Sequence, residues 1–128
     1  MRALMAVLRI VAVAIIFLSF PISAADGKTI YTNRCRSCHG TDGKGVANVA
    51  KMRAEAMTKE TNKVVTQDEM LARMNLIADR NKKRCDADLM KIVRGGQGAM
   101  KGIASISDDD LKSVIAHVRT LQNSPPPK

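Results

Sequence analysis

Residues 35–39 read Cys-Arg-Ser-Cys-His, and this run constrains the chain more than any other stretch. On a helix, thiols three residues apart stand on neighbouring turns of one face. Both can therefore add to the two vinyl groups of one porphyrin, which places His39 under the iron as proximal ligand. C-x-x-C alone fits zinc, dithiol redox chemistry or haem. The fused histidine and an export signal upstream favour one covalently attached haem c, tethered by Cys35 and Cys38.

The export signal occupies residues 1–25. Met1 to Arg9 is a positive leader, Ile10 to Phe20 an apolar run, and Pro21 to Ala25 ends in small residues suited to cleavage. The apolar run between Arg9 and Pro21 falls short of the ~20 residues a membrane-spanning helix requires. The expected mature chain starts at Asp26 in the periplasm and runs through a domain at 26–122 to a proline-rich tail at 123–128.

Removing 25 of the 128 residues leaves 103, one domain's worth, and takes away Phe17 and Phe20, so that Tyr31 is the only aromatic. So small a core lacks large apolar area, and a flat porphyrin would supply it. Arg2 and Arg9 also leave, so the net charge falls from +9 to +7. That balance favours acidic redox partner proteins or an anionic membrane surface. Nucleic acid is not expected, because the chain is exported and its basic residues have no interleaved aromatics for base stacking. With two cysteines given to haem, Cys85 has no partner within the chain.

Asp26 is suited to cap a first helix through Lys28, Ile30, Tyr31, Arg34 and Cys35, ending near His39 with a left-handed cap at Gly40. Thr41 to Gly45 reads as a turn-rich loop. Val46 to Ala56 has helical character that polar Thr58 to Asn62 is expected to interrupt. Thr66 and Glu69 form a capping-box pattern ahead of Met70, Leu71, Met74 and Ile77. Arg80 to Arg84 reads as a solvated connector. Asp86 is suited to cap a helix with Leu89, Met90, Ile92 and Val93 inward, stopped by Gly95-Gly96, and Cys85 would pack on Met90 as a staple. Ser107, with Asp108 to Asp110 behind it, opens a last helix whose apolar face is Leu111, Val114, Ile115, Val118 and Leu121 and which ends before Asn123. No strand is expected in the mature chain.

An iron held by one histidine needs a sixth ligand or has an open site. Met100 stands out because Gly95-Gly96-Gln97-Gly98-Ala99-Met100-Lys101-Gly102 is a glycine-rich loop between helices. Met52, Met57, Met70, Met74 and Met90 lie on helical patterns and read as core filler. His117 lies mid-helix and reads as a packing residue.

The chain resembles the class I c-type cytochromes over nearly all of residues 26–122. The resemblance rests on Gly27 and Tyr31 ahead of Cys35 to Gly40, the Gly43-Lys44-Gly45 loop, the Arg94 to Met100 segment and the Ser107 to Leu121 helix. It implies a small all-α cytochrome c-like domain whose first and last helices cross, with His39 and Met100 as axial ligands. The family commonly has a proline after the loop glycines that lends its carbonyl to the proximal histidine; here Val46-Ala47-Asn48 stands there. Lys101 replaces the usual proline after the ligand methionine, and His117 replaces the aromatic that faces Tyr31. Lys51 to Lys83 matches no motif and reads as an insertion covering or reshaping the haem edge.

The function implied is electron transport by a monomeric periplasmic carrier and not an enzyme. It would accept electrons from a dehydrogenase or quinol-oxidising complex and deliver them to an oxidase or reductase, with Lys44 and Lys101 flanking the haem edge. The alternatives are an open-site haem sensor or peroxidase-like enzyme, and a cytochrome subunit of a larger periplasmic redox complex. The intact mass of the exported protein tests the leader: it is expected to begin at Asp26, and a retained Met1 would refute cleavage.

Overall fold

The computed structural model describes residues 25–125. All of the leader but Ala25, and the tail from Pro126, lie outside the described residues. The elements, in order, are α1 (Gly27–Arg34), α2 (Arg36–His39), α3 (Ala47–Thr61), α4 (Gln67–Met74), α5 (Asp79–Lys82), α6 (Asp86–Gly95), β1 (Gly96–Gln97), β2 (Met100–Lys101) and α7 (Asp108–Asn123). The domain is all-α, as expected. Its two strands of two residues each form an antiparallel hairpin with Gly96 opposite Lys101 and Gln97 opposite Met100. This corrects the expectation of no strand: the glycine-rich loop folds tightly back on itself.

Three local start signals are realised. Asp26 accepts from the Thr29 N–H at 3.2 Å. Thr66 and Glu69 exchange both bonds of a capping box, at 3.2 and 3.0 Å. Ser107 accepts from the Asp110 N–H at 3.1 Å, while the Asp110 carboxylate takes the Ala25 N–H at 3.0 Å and closes no box.

Other boundaries shift. Helix α1 stops at Arg34 and restarts after Cys35, and Gly40 has positive φ (76°) but extended ψ (168°), so its cap is not left-handed. Helix α3 runs through polar Thr58 to Thr61, of which Thr58 is half-buried and accepts from the Val65 N–H at 2.9 Å while the rest are exposed, and ends at Asn62 in the left-handed conformation. Helix α4 stops at Met74 and leaves Ile77 outside. Part of the Arg80 to Arg84 connector is helical, in α5. The cap of α6 is Cys85, one residue before the expected Asp86; Cys85 is exposed and forms no staple. Helix α7 includes Asn123, one residue beyond expectation.

The first cluster of the core joins Ile30 and Tyr31 of α1 to Leu111, Val114 and Val118 of α7. The helices meet at Gly27, where an added Cβ would sit 2.0 Å from the Ser113 carbonyl oxygen. Only a residue without a side chain fits there. The second cluster is formed by the α3–α4 pair, Ala50 and Ala54 against Met70 and Met74, with Val49, Met57, Val65, Leu71 and Ala99 at its edge. The unmatched segment is thus largely a helical hairpin with its own core. His117 lies 5.1 Å from Tyr31, centroid to centroid, so it packs at the helix crossing as expected.

Gly27→Ala gains about 1 kcal/mol of helix propensity but forces the helices apart. A net loss of about 1–3 kcal/mol is expected, read as a lower denaturant midpoint; an unchanged midpoint would mean that the helices do not meet there.

Candidate haem site

The C-x-x-C-H run spans the α1–α2 junction. The Cys35 carbonyl accepts from the Cys38 and His39 N–H groups at 3.2 and 3.0 Å, which places both thiols and the imidazole on one short helical turn. Cys35 and Cys38 are half-buried free thiols, and Cys35 packs on the first cluster. Burial pushes the Cys35 thiol up, with Cys38 adding to the rise and Arg34 opposing it. A dithiol redox centre needs the opposite, a depressed thiol. Nor do three His, Cys, Asp or Glu side chains gather into a metal cage among the described residues, as a structural zinc site requires.

His39 Nδ1 lies 2.7 Å from the Met74 carbonyl oxygen. A carbonyl only accepts, so Nδ1 carries the proton and the lone pair of the neutral ring is on Nε2. Burial holds His39 below the ordinary imidazole range, against the opposing pull of that hydrogen bond. The ring is thus kept neutral, with one nitrogen anchored and the other free to bind a metal. Met74 reads from sequence as core filler, and its side chain is that. Its carbonyl has the further role, and a backbone carbonyl leaves no residue-type signal.

The loop after the motif is held to it from both sides. The His39 and Cys38 carbonyls accept from Gly45 and Val46 at 2.8 and 3.1 Å, and the Gly43 carbonyl accepts from Leu76 at 2.7 Å. Gly45 has φ 96°, and a Cβ there would come within 2.9 Å of Leu71 and 3.2 Å of Met74. The loop therefore lies directly on α4. Tyr31, buried at the helix crossing, donates to the Gly40 carbonyl at 2.7 Å. Burial, and secondarily Cys35 and Asp42, push its phenol far above the ordinary range, so it remains a donor.

Half-buried Met100 lies on β2, and its neighbour Ala99 packs on the second cluster, of which Met74 is a member. The hairpin and the motif are thus linked through the α3–α4 core. The donor set fits a haem: two thiols on one helical turn, a neutral imidazole with Nε2 uncommitted, and a thioether on a separate hairpin. Lys44 and Lys101 are exposed, with Lys44 partly offset by Asp42 at 3.8 Å.

The family model described as cytochrome C oxidase, cbb3-type, subunit III matches residues 23–118, most of the chain. No match was found among curated proteins or among solved structures.

Tyr31→Phe keeps the ring against His117 and removes only the bond to Gly40. A loss of about 1 kcal/mol is expected, read as a lower denaturant midpoint at unchanged slope; an unaltered midpoint would show that the hydroxyl does not hold the loop.

Proposed function

Because the chain belongs to the cbb3-type subunit III family of c-type cytochrome domains, we propose that it is a periplasmic monohaem electron carrier. The observation that carries this reading is the committed Nδ1 of His39, which leaves Nε2 as the ring's only available ligand atom. When bound, the haem supplies a reversible one-electron Fe(III)/Fe(II) couple. Cys35 and Cys38 would tether it through thioethers, and His39 and Met100 would supply the ligands to its iron. The soft sulfur of Met100 favours ferrous iron and raises the potential relative to a bis-histidine site. Delivery to an oxidase or reductase is then the downhill direction. The Gly40–Val46 loop and α4 hold the His39 backbone and ring orientation that such a couple would need. Acidic donor and acceptor proteins suit the net positive charge, with exposed Lys101 as a steering group.

The family description supports a second reading, a cytochrome subunit within a larger oxidase complex. Among the described residues no helix is long and apolar enough to cross a membrane. Gel filtration of native extracts discriminates the two: a free monomer supports the carrier, and co-elution with an oxidase supports the subunit.

Visible spectra of the haem-loaded protein, oxidised, reduced and reduced under carbon monoxide, test the coordination. The parent is expected to show sharp low-spin bands that ignore carbon monoxide, and Met100→Ala to bind it. Carbon monoxide binding by the parent would overturn the closed site and favour a sensor or peroxidase-like role.

A further inference from the structure

The stretch from Ala72 to Leu76 is held carbonyl by carbonyl. Arg80 donates to Ala72, His39 to Met74 at 2.7 Å, Asn81 to Asn75 at 2.6 Å and Gln122 to Leu76 at 2.8 Å. Arg80 and Asn81 follow closely in sequence, whereas Gln122 reaches in from α7. Gln122 is 5% exposed and is the buried polar side chain among the described residues. Its amide orientation is fixed by Arg119, which only donates and which contacts Gln122 Oε1 at 2.7 Å. Nε2 must then face the Leu76 carbonyl. Arg119 is itself held by Asp86 at 2.8 Å and by the Lys82 and Arg84 carbonyls at 3.2 and 2.5 Å.

We propose that Gln122, oriented by Arg119, is a positioning residue for the proximal histidine: by fixing Leu76 it keeps the Met74 carbonyl on His39 Nδ1. The proposal rests on His39 being an iron ligand. Leu76 is pinned twice, its carbonyl by Gln122 and its N–H by the Gly43 carbonyl at 2.7 Å, so it cannot rotate without breaking a bond on one side. Met74 is two residues away and shares that restraint. Full donation from Nδ1 enriches Nε2 in electron density and favours ferric iron. Loosening the carbonyl would make His39 a weaker donor and raise the potential. Both Arg119 and Gln122 lie in the last turns of α7.

The test compares haem-loaded parent with Gln122→Glu, which keeps an acceptor for Arg119 but loses the donor to Leu76, and with Gln122→Leu, which loses both. Val118→Ala, a core truncation in the same helix, controls for destabilisation alone. Two quantities are read: the reduction potential, and the exchange rate of the His39 Nδ1 proton by NMR in the reduced state. Gln122→Leu is expected to raise the potential, and both Gln122 variants to speed exchange about fivefold, the loss of roughly one net hydrogen bond, while Val118→Ala leaves both at parental values. If Gln122→Leu does not fold, Arg119→Gln, which removes the orienting group and leaves the amide, is expected to shift both readings the same way. Parental values in the Gln122 variants, or an equal shift in Val118→Ala, would overturn the proposal. A parent without a low-spin, histidine-ligated spectrum would instead overturn the reading beneath it, and is seen before any variant is compared.

Discussion

The orientation of the His39 imidazole depends on one hydrogen bond, from its Nδ1 to the carbonyl of Met74. A histidine that is to bind a metal through Nε2 must place its other proton on an acceptor, and a buried N–H without one costs about 1–3 kcal/mol. The chain between them is arranged to bring donor and acceptor together. Gly45 and Val46 turn back onto the carbonyls of His39 and Cys38, Gly43 takes the Leu76 N–H, and Gly45 leaves room for Leu71 and Met74.

The same bond explains how so thin a core holds a defined shape. Tyr31 is the only aromatic among the described residues, and the second cluster is built from alanines and methionines. Alanine lets α3 and α4 approach closely, and methionine fills irregular space without imposing a rigid shape. Such a pair of helices is poorly specified by packing alone. Directional bonds make up the difference: His39 to Met74, Leu76 to Gly43, and Gln122 to Leu76 link the pair to α2, the loop and α7.

What could be read from sequence follows the distance over which each signal acts. Asp26, Thr66 with Glu69, and Ser107 announce helix starts through contacts three residues long, and all three are made. Gly27 and Tyr31 mark the helix crossing only through the resemblance to class I c-type cytochromes, and the structure places both there. Asp86 misleads, since its carboxylate is taken by Arg119 from α7 and the cap falls to Cys85. Thr58 to Thr61 mislead because polarity does not mark a helix end: Lys59 to Thr61 face solvent and Thr58 accepts from Val65, and the end is set by Asn62 adopting a left-handed backbone. At the site, Cys35, Cys38 and His39 stand out because covalent haem attachment demands those residue types at that spacing. The group that holds His39 does not, being the backbone carbonyl of Met74, whose role comes from where the chain folds and not from its residue type.

The missing proline after the loop glycines has a physical counterpart at the end of α4. Val46 donates its N–H to the Cys38 carbonyl at 3.1 Å, so a proline at that position would break the bond that folds the loop back. An acceptor for His39 must then come from elsewhere. The last four carbonyls of any helix have no partner within it, and Met74 is the final residue of α4, followed by Asn75 with an extended backbone (φ −75°, ψ 102°). Helix termination therefore releases a carbonyl at the point where an N–H donor approaches, and the partial negative charge at a helix C-terminus favours that donor. The capping box at Thr66 sets where α4 begins, Asn75 sets where it stops, and together they determine which carbonyl faces the imidazole. In this chain the acceptor for His39 is a carbonyl at a helix end, in a stretch whose neighbouring carbonyls are taken by Arg80, Asn81 and Gln122.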